Sequence, residues 1–383
     1  MVNRFVKISV YKDERTTHCE RRMAIRVYRR VNFRYRLLLA IFTGKQIVFD
    51  FSEEAHHSKL LKPNEISLLR LLDRITSGTQ LQLDEAQRLI TVQPGVLIGG
   101  NFTHHCSTCR GLTYYLEFLA LLAPYCKRPL EVTLTGVTAH PLDTTVDTFQ
   151  NVTISLLRKL GLGKDCSLKI KKRDSSSNGL GEVLFTCPIM LKALEPIEWK
   201  ERQEIKRIRG VAYCSRIPPH IANQLIDNSR NILCEYLADI FIYSDWNPGG
   251  TDLPSVSLSL FAETSNGFVL GTDCSWKGKD WNEEILSSVS QEATQAILLQ
   301  AIENSVVDTN HQLFICLWMA LSSADLSTVE LGRLTPCTIQ LLRDIQDFMG
   351  VAFQIERGSK NNFPSVLCSC IGMEYRNENR RRY

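Results

Sequence analysis

Three short stretches carry residue types that could do chemistry. In "VVDTNHQLFICLWMAL" His311 stands at the head of an apolar run, with Asp308 three residues before it and Gln312 just after it. An imidazole in that place can act as a nucleophile or move a proton; the plainer reading is a surface or capping histidine. In "KKRDSSSNGLGEV" a Gly/Ser loop follows the cationic run Lys171, Lys172, Arg173. Backbone N–H groups of such a loop can cradle a phosphate, although an ordinary flexible hairpin loop has the same composition. In "THHCSTCRG" His104, His105, Cys106 and Cys109 fall within six residues. Zinc takes four ligands, so a lone CxxC needs a second pair. Cys368 and Cys370 are the other close pair, and they alternate along a strand candidate, so no metal is expected.

Charge adds a fourth candidate. The net charge is only +4, but residues 1–36 hold eleven Lys/Arg against three Asp/Glu, and the chain ends "RNENRRRY". Basic arms suit a polyanion such as RNA; solvated tails have the same composition. In "EIKRIRG" Lys206, Arg207 and Arg209 make a basic strand candidate that can meet RNA or a protein, or simply face water.

Bulk composition bounds the rest. A chain of 383 residues, 44% hydrophobic and 22% charged, is globular and long enough for about two or three domains. No apolar run approaches the ~18 residues of a membrane-spanning helix, so no membrane partner is expected. The 13 cysteines are odd in number and scattered, which reads as reduced thiols inside a cell.

The elements that must position these residues recur. "LLRLLDRITSGTQLQLDEAQRLITVQ" from Leu68, "LLRKLGLGKDCSLKIKKRDSSSNGLGEVLFTC" from Leu156 and "LLRDIQDFMGVAFQIERGSKNNFPSVLCSC" from Leu341 share one grammar. Each has a helix, a glycine near its end, and two alternating runs that suit a hairpin. A strand candidate precedes each helix: "QIVFDF", "LEVTLTGV" and "STVELGRL". The spacing is 88 residues from the first to the second and 185 from the second to the third, an excess of 97. That excess predicts a small inserted domain. The expected fold is α+β. Three strand–helix–hairpin units form a large domain over 31–195 and 281–375, and a smaller α+β domain over 196–280 is inserted before the third unit. A basic extension occupies 1–30 and a basic tail 376–383.

The ordered blocks "ISLLRLLDRITSG", "PGVLIGG", "RGLTYYLEFLALLAP", "LTGVT", "IKRIRGVAYCSRIPPHIANQLID" and "LSLFAET" resemble the RNA 3'-terminal phosphate cyclase family, specifically its cyclase-like branch of ribosome biogenesis. The resemblance runs from about residue 32 to 373. It implies chemistry in which AMP passes from ATP to a histidine and then to an RNA 3'-phosphate, before the 2'-hydroxyl closes a ring. It also aligns "DTNHQ" with a His-x-x-Asp-Gln stretch on Gln312. That places the nucleophile position on Asp308 and puts His311 where the aspartate stands. The family's glycine loop falls on Arg173 to Val183. Asp174 then replaces its first glycine, Ser177 its proline and Leu180 its middle glycine, while Gly179 and Gly181 remain. The acidic, glycine-rich N-terminal motif is absent near Val27, although Arg34 fits the arginine that follows it. Arg34, Lys206, Arg207 and Arg209 are therefore the candidate RNA or partner contacts.

The resemblance so implies a non-catalytic scaffold and RNA-binding factor of the small-subunit processome, in the nucleus and nucleolus. A large nucleolar GTPase and pre-rRNA are its implied partners, and no cofactor is expected. The alternatives are a pre-rRNA endonuclease and, further off, a surviving cyclase acting through His311. RNA cleavage needs a base, a stabiliser of phosphorane charge, or metal-binding carboxylates, and no compact carboxylate cluster stands out.

Overall fold

The computed structural model describes residues 24–54, 60–175, 178–201, 204–248, 253–279, 281–303, 305–358, 365–377 and 379. Most of the expected basic extension and the end of the basic tail lie outside the described residues.

Three four-stranded sheets share one strand plan. In the first, Ile25–Tyr28 pairs in parallel with Ile47–Asp50, and the hairpin strands Leu89–Gln93 and Gln80–Asp84 follow antiparallel. In the second, Gly100–His105 pairs in parallel with Leu130–Gly136, followed by Gly181–Cys187 and Ser167–Lys172. In the third, Glu198–Trp199 pairs in parallel with Leu326–Leu331, followed by Val366–Ile371 and Gln354–Arg357. The mixed helix-and-sheet architecture is the α+β fold expected from sequence.

Each sheet starts one strand and one helix earlier than the expected strand–helix–hairpin unit. Those first strands are short or polar: "IRVY", "GNFTHH" and "EW". The helices after them, Phe33–Thr43, Leu112–Leu122 and Gln312–Leu321, are buried on nearly every side. A helix wrapped in core has no polar face, so it shows no helical period. The helices that the sequence does announce, Pro63–Ile75 and Pro336–Met349, are amphipathic. In the first of these Leu68, Leu71, Leu72 and Ile75 are fully buried, each stabilising the fold by about 1.5–3 kcal/mol. The second ends at Gly350 with φ 75°, a left-handed cap that a side chain would strain.

The second sheet's covering helix departs further from expectation. It begins not at Leu156 but at Val146. It carries wide π turns at Phe149–Thr153 and Arg158–Leu162. Thr145 caps it by accepting the Thr148 N–H at 3.2 Å. The β-branched residues of its first turns hide this half of the helix from propensity.

The fourth sheet belongs to the insertion. Its order is Ile240–Asn247, Ile205–Ser215, Ser255–Thr264, Val269–Lys277. One face packs on the helices Pro219–Leu233 and Glu283–Ile302 in a separate apolar cluster that includes Leu225, Leu258, Leu286 and Ala293. The expected limits 196–280 are wrong at both ends. Glu198–Trp199 belongs to the third sheet, and the helix Glu283–Ile302 belongs to the insertion because Leu286, Val289, Ala293 and Ile297 on its apolar face fill the insertion's core. The insertion therefore lies within the third unit rather than before it. Trp199 pairs with Val329, while Val307 bridges Leu331 in the same parallel sense. The chain thus leaves and returns two rungs apart along the strand Leu326–Leu331.

Candidate functional site

The insertion's second face lies against the capped start of the helix that follows Thr145. Asp273, on the strand Val269–Lys277, sits at that junction. Its Oδ1 accepts from Ser259 Oγ at 2.6 Å, Thr148 Oγ1 at 2.7 Å and Thr145 Oγ1 at 2.8 Å, and Oδ2 accepts from the Thr145 N–H at 3.2 Å. Burial outweighs these hydrogen bonds and raises the carboxyl above its ordinary value. Sequence reasoning missed Asp273, Thr145 and Thr148, because one acid inside an apolar strand has no spacing to mark it.

One strand rung away, the Gly271 N–H donates to Asp308 Oδ2 at 3.0 Å. Oδ1 of Asp308 accepts the His311 N–H at 2.9 Å and lies 2.7 Å from His311 Nδ1. His311 Nε2 is 2.7 Å from Thr153 Oγ1, on the first π turn. His311 is 2% exposed, so the expected surface position is wrong, although the histidine does stand at the head of its helix. Burial pulls its pKa down, but the charge and hydrogen bond of Asp308 outweigh that and raise it. Asp308 is at once helix cap, histidine partner and acceptor for the inserted sheet. Gln312 faces elsewhere. Its Nε2 donates to the Arg333 carbonyl at 3.0 Å, and its Oε1 accepts from Thr338 Oγ1 at 3.0 Å, which fixes the start of the helix Pro336–Met349.

The glycine loop comes next. Arg173 grips Asp147 at 2.6 Å and Asp245, on the insertion's edge strand, at 2.6 Å. Asp174 is buried, and its Oδ2 accepts the Leu180 N–H at 2.6 Å. Its backbone N–H and carbonyl both bond Thr138, at 3.0 and 2.7 Å. A carboxylate of the chain therefore holds a backbone donor of the loop that a phosphate would otherwise take. Gly179 has φ 61°, and a Cβ there would lie 2.6 Å from Thr108 Cγ2; one on Gly181 would lie 2.6 Å from the Gly136 carbonyl. These glycines are needed for packing on the neighbouring strand end. Leu180 is exposed, and Ser177 lies outside the described residues.

The cationic candidates separate into two places. Arg34 turns inward: it donates to the Tyr114 carbonyl at 2.7 Å, pairs with Glu117, and stacks over Tyr114 at 4.8 Å. That leaves its guanidinium little surface for an outside partner. Lys206, Arg207 and Arg209 lie on the insertion's strand Ile205–Ser215. Arg207 pairs with Glu263 at 2.6 Å and Arg209 with Asp239 at 2.8 Å, while Lys206 is exposed.

The cysteine–histidine stretch does not converge. His104 and His105 alternate across the strand Gly100–His105. His104 Nε2 meets Ser67 Oγ at 3.1 Å, and His105 Nδ1 meets Thr135 Oγ1 at 2.5 Å. Burial, helped by the nearby charges of Arg74, His105 and Arg70, lowers the His104 pKa to about 4.

A sequence profile described as RNA 3'-terminal phosphate cyclase matches residues 31–355. The chain belongs to this family. A probable RNA 3'-terminal phosphate cyclase-like protein of Dictyostelium discoideum is 37% identical over 362 residues, covering 90% of this chain and 96% of the relative. The cyclase-like protein of Homo sapiens is 35% identical over 359 residues, covering 91% and 96%. The rRNA processing protein rcl1 of Schizosaccharomyces pombe is 32% identical over 355 residues, covering 91% and 95%. The recognition drawn from sequence blocks thus holds over most of the chain. At both motif positions that the family pattern marks, the loop around Asp174 and the turn at Asp308, a carboxylate of this chain occupies a backbone donor.

Proposed function

We propose that this chain is a non-catalytic, cyclase-like factor in pre-rRNA processing, a scaffold and RNA-binding component of the nucleolar small-subunit processome. The observation that carries the loss of cyclase chemistry is the Asp174 carboxylate on the Leu180 N–H, at 2.6 Å. A phosphate brought to that loop would meet a fixed negative charge, and unlike charges on ligand and loop are what such a site needs. Asp308 supports the same reading: both its oxygens already accept hydrogen bonds, and a carboxylate cannot form the phosphoramidate that a histidine forms. The role in rRNA processing is supported by a relative of that name, 32% identical across nearly its whole length.

In this reading pre-rRNA and a large nucleolar GTPase are the partners, and the nucleolus is the site of action. Incubation of the purified chain with ATP labelled at the α-phosphate should give no acid-labile adenylate on the protein. A labelled band that His311→Ala abolishes would restore the catalytic reading. Co-purification with RNA crosslinking from cells tests the scaffold role. Recovery of pre-rRNA fragments together with a GTPase is expected, and recovery of neither would remove it.

A further inference from the structure

The insertion presents two aromatic rings that the fold does not use. Phe241 and Tyr243 lie on the edge strand Ile240–Asn247 and are 52% and 58% exposed. Their rings meet edge to face at 4.6 Å. Residues i and i+2 share a face, with their backbone positions roughly 7 Å apart along the strand, so both rings stand on the side opposite the insertion's core and lean together. Cations border them on both flanks. Arg209 is the cross-strand neighbour of Phe241. On the other side, Asp245 is joined by Arg173 to the second sheet's edge strand Ser167–Lys172.

The charges of this surface decide what it fits. Asp239 is paired with Arg209, Glu263 with Arg207, Asp245 with Arg173, and Glu182 with Lys171. Among the described residues these pairs leave over the exposed Lys169, Lys172 and Lys206, against Asp147, which shares Arg173 with Asp245, and the exposed Glu204. A protein-binding centre is depleted in lysine around its aromatic anchors. Rings with arginines at both ends of their strand and exposed lysines farther along the two neighbouring strands suit a chain of stacked bases with a phosphate backbone.

We infer that Phe241 and Tyr243 form a stacking ledge for single-stranded RNA, with Lys169, Lys172 and Lys206 along its phosphate path. This rests on the reading of the chain as an RNA-binding factor and names the form of RNA it takes. A base stacks only when its face is free, so the ledge selects unpaired segments; a duplex offers phosphates but no open base face.

The test is fluorescence anisotropy with a labelled twelve-nucleotide RNA, as a single strand and as the same sequence in a duplex. Phe241→Ala with Tyr243→Ala should weaken single-strand binding by about tenfold to a hundredfold or more, given the usual effect of losing one aromatic per base. Duplex binding should change less than about threefold on the same scale. Phe241→Tyr with Tyr243→Phe keeps both rings and should keep the affinity. Both side chains are exposed, so an unchanged thermal melt is the control for folding. Wild-type binding of single strands that the double alanine variant retains would overturn the ledge and leave RNA binding intact. Failure of the wild type to bind either RNA would overturn both readings. A variant that keeps RNA but loses a protein partner in a pull-down would make this a protein-docking surface instead.

Discussion

His311 Nδ1 lies 2.7 Å from Asp308 Oδ1, and both side chains are almost wholly buried. The pair is the hinge between the inserted sheet and the helix Gln312–Leu321, because the other oxygen of Asp308 holds the Gly271 N–H. Asp308→Ala removes a cap and leaves the imidazole without its partner. It should lower the unfolding free energy by about 3–5 kcal/mol, the usual cost of breaking a buried pair. Asp308→Asn should cost about 1–3 kcal/mol, since its amide nitrogen would face either the Gly271 N–H or the His311 N–H and leave that donor unmet. Urea denaturation of the three proteins measures both. A loss below about 1 kcal/mol for Asp308→Ala would refute the assignment, being no more than an ordinary cap is worth.

Two histidines should give opposite pH signatures. His104 is held neutral, with a native value of about 4, against an unfolded value of about 6.5. Its lowered value means that stability is full above pH ~6.5 and falls as pH drops toward ~4, by roughly 3 kcal/mol in all. His311 has a raised native value. Its contribution is full below ~6.5 and fades as pH rises through the native value. Denaturation midpoints of His104→Asn should lose much of the acid slope between pH ~6.5 and ~4. An identical slope in wild type and variant would show that His104 is not the group responsible.

How much of this could be read in the sequence depends on where each signal lives. The helices Pro63–Ile75 and Pro336–Met349 were legible because one face meets solvent and the other the core, which writes a period into the residues. Gln312–Leu321 was legible as an apolar helix headed by His311, but without a period that shows which side faces what, since it is buried all round. The loop residues Asp174, Gly179 and Leu180 were legible as departures from a family pattern. What Asp174 does instead, accepting from Leu180, depends on a side-chain direction that no pattern encodes. Asp273 was not legible at all. Its partners Thr145, Thr148 and Ser259 are up to 128 residues away in the chain, and only the packing of insertion on core brings them together.

The insertion should be separable. Trp199 and Val307 pair with Val329 and Leu331 on one edge, and the Val306 N–H donates to the Glu330 carbonyl between them at 3.0 Å. Joining Trp199 directly to Val306 would therefore make one continuous edge strand, with the intervening segment removed. The remaining core is expected to unfold cooperatively, at a lower temperature, because Phe261 and Phe268 of the insertion also contribute to the large core. Circular dichroism through a thermal ramp reads this. A broad melt without a transition, together with failure of residues 204–302 to fold when expressed alone, would show that the two cores form only as one.

The basic strand separates by pairing. Arg207 and Arg209 already answer Glu263 and Asp239, so each neutralises a carboxylate before it can reach a phosphate. Lys206 is exposed and is the residue of the three best placed to displace counterions. Lys206→Ala should flatten the dependence of RNA affinity on salt, lowering the slope of log K against log salt by about 0.7 for a single strand. Arg209→Ala should act differently. It uncovers Asp239, so affinity should drop through repulsion. Titration of each variant at several salt concentrations distinguishes a lost contact from an uncovered charge. An unchanged slope and affinity for Lys206→Ala would make that residue part of a solvated face. If RNA binding then holds while association with a GTPase slows, the strand serves the protein partner, where charge at an interface rim chiefly sets the rate of encounter.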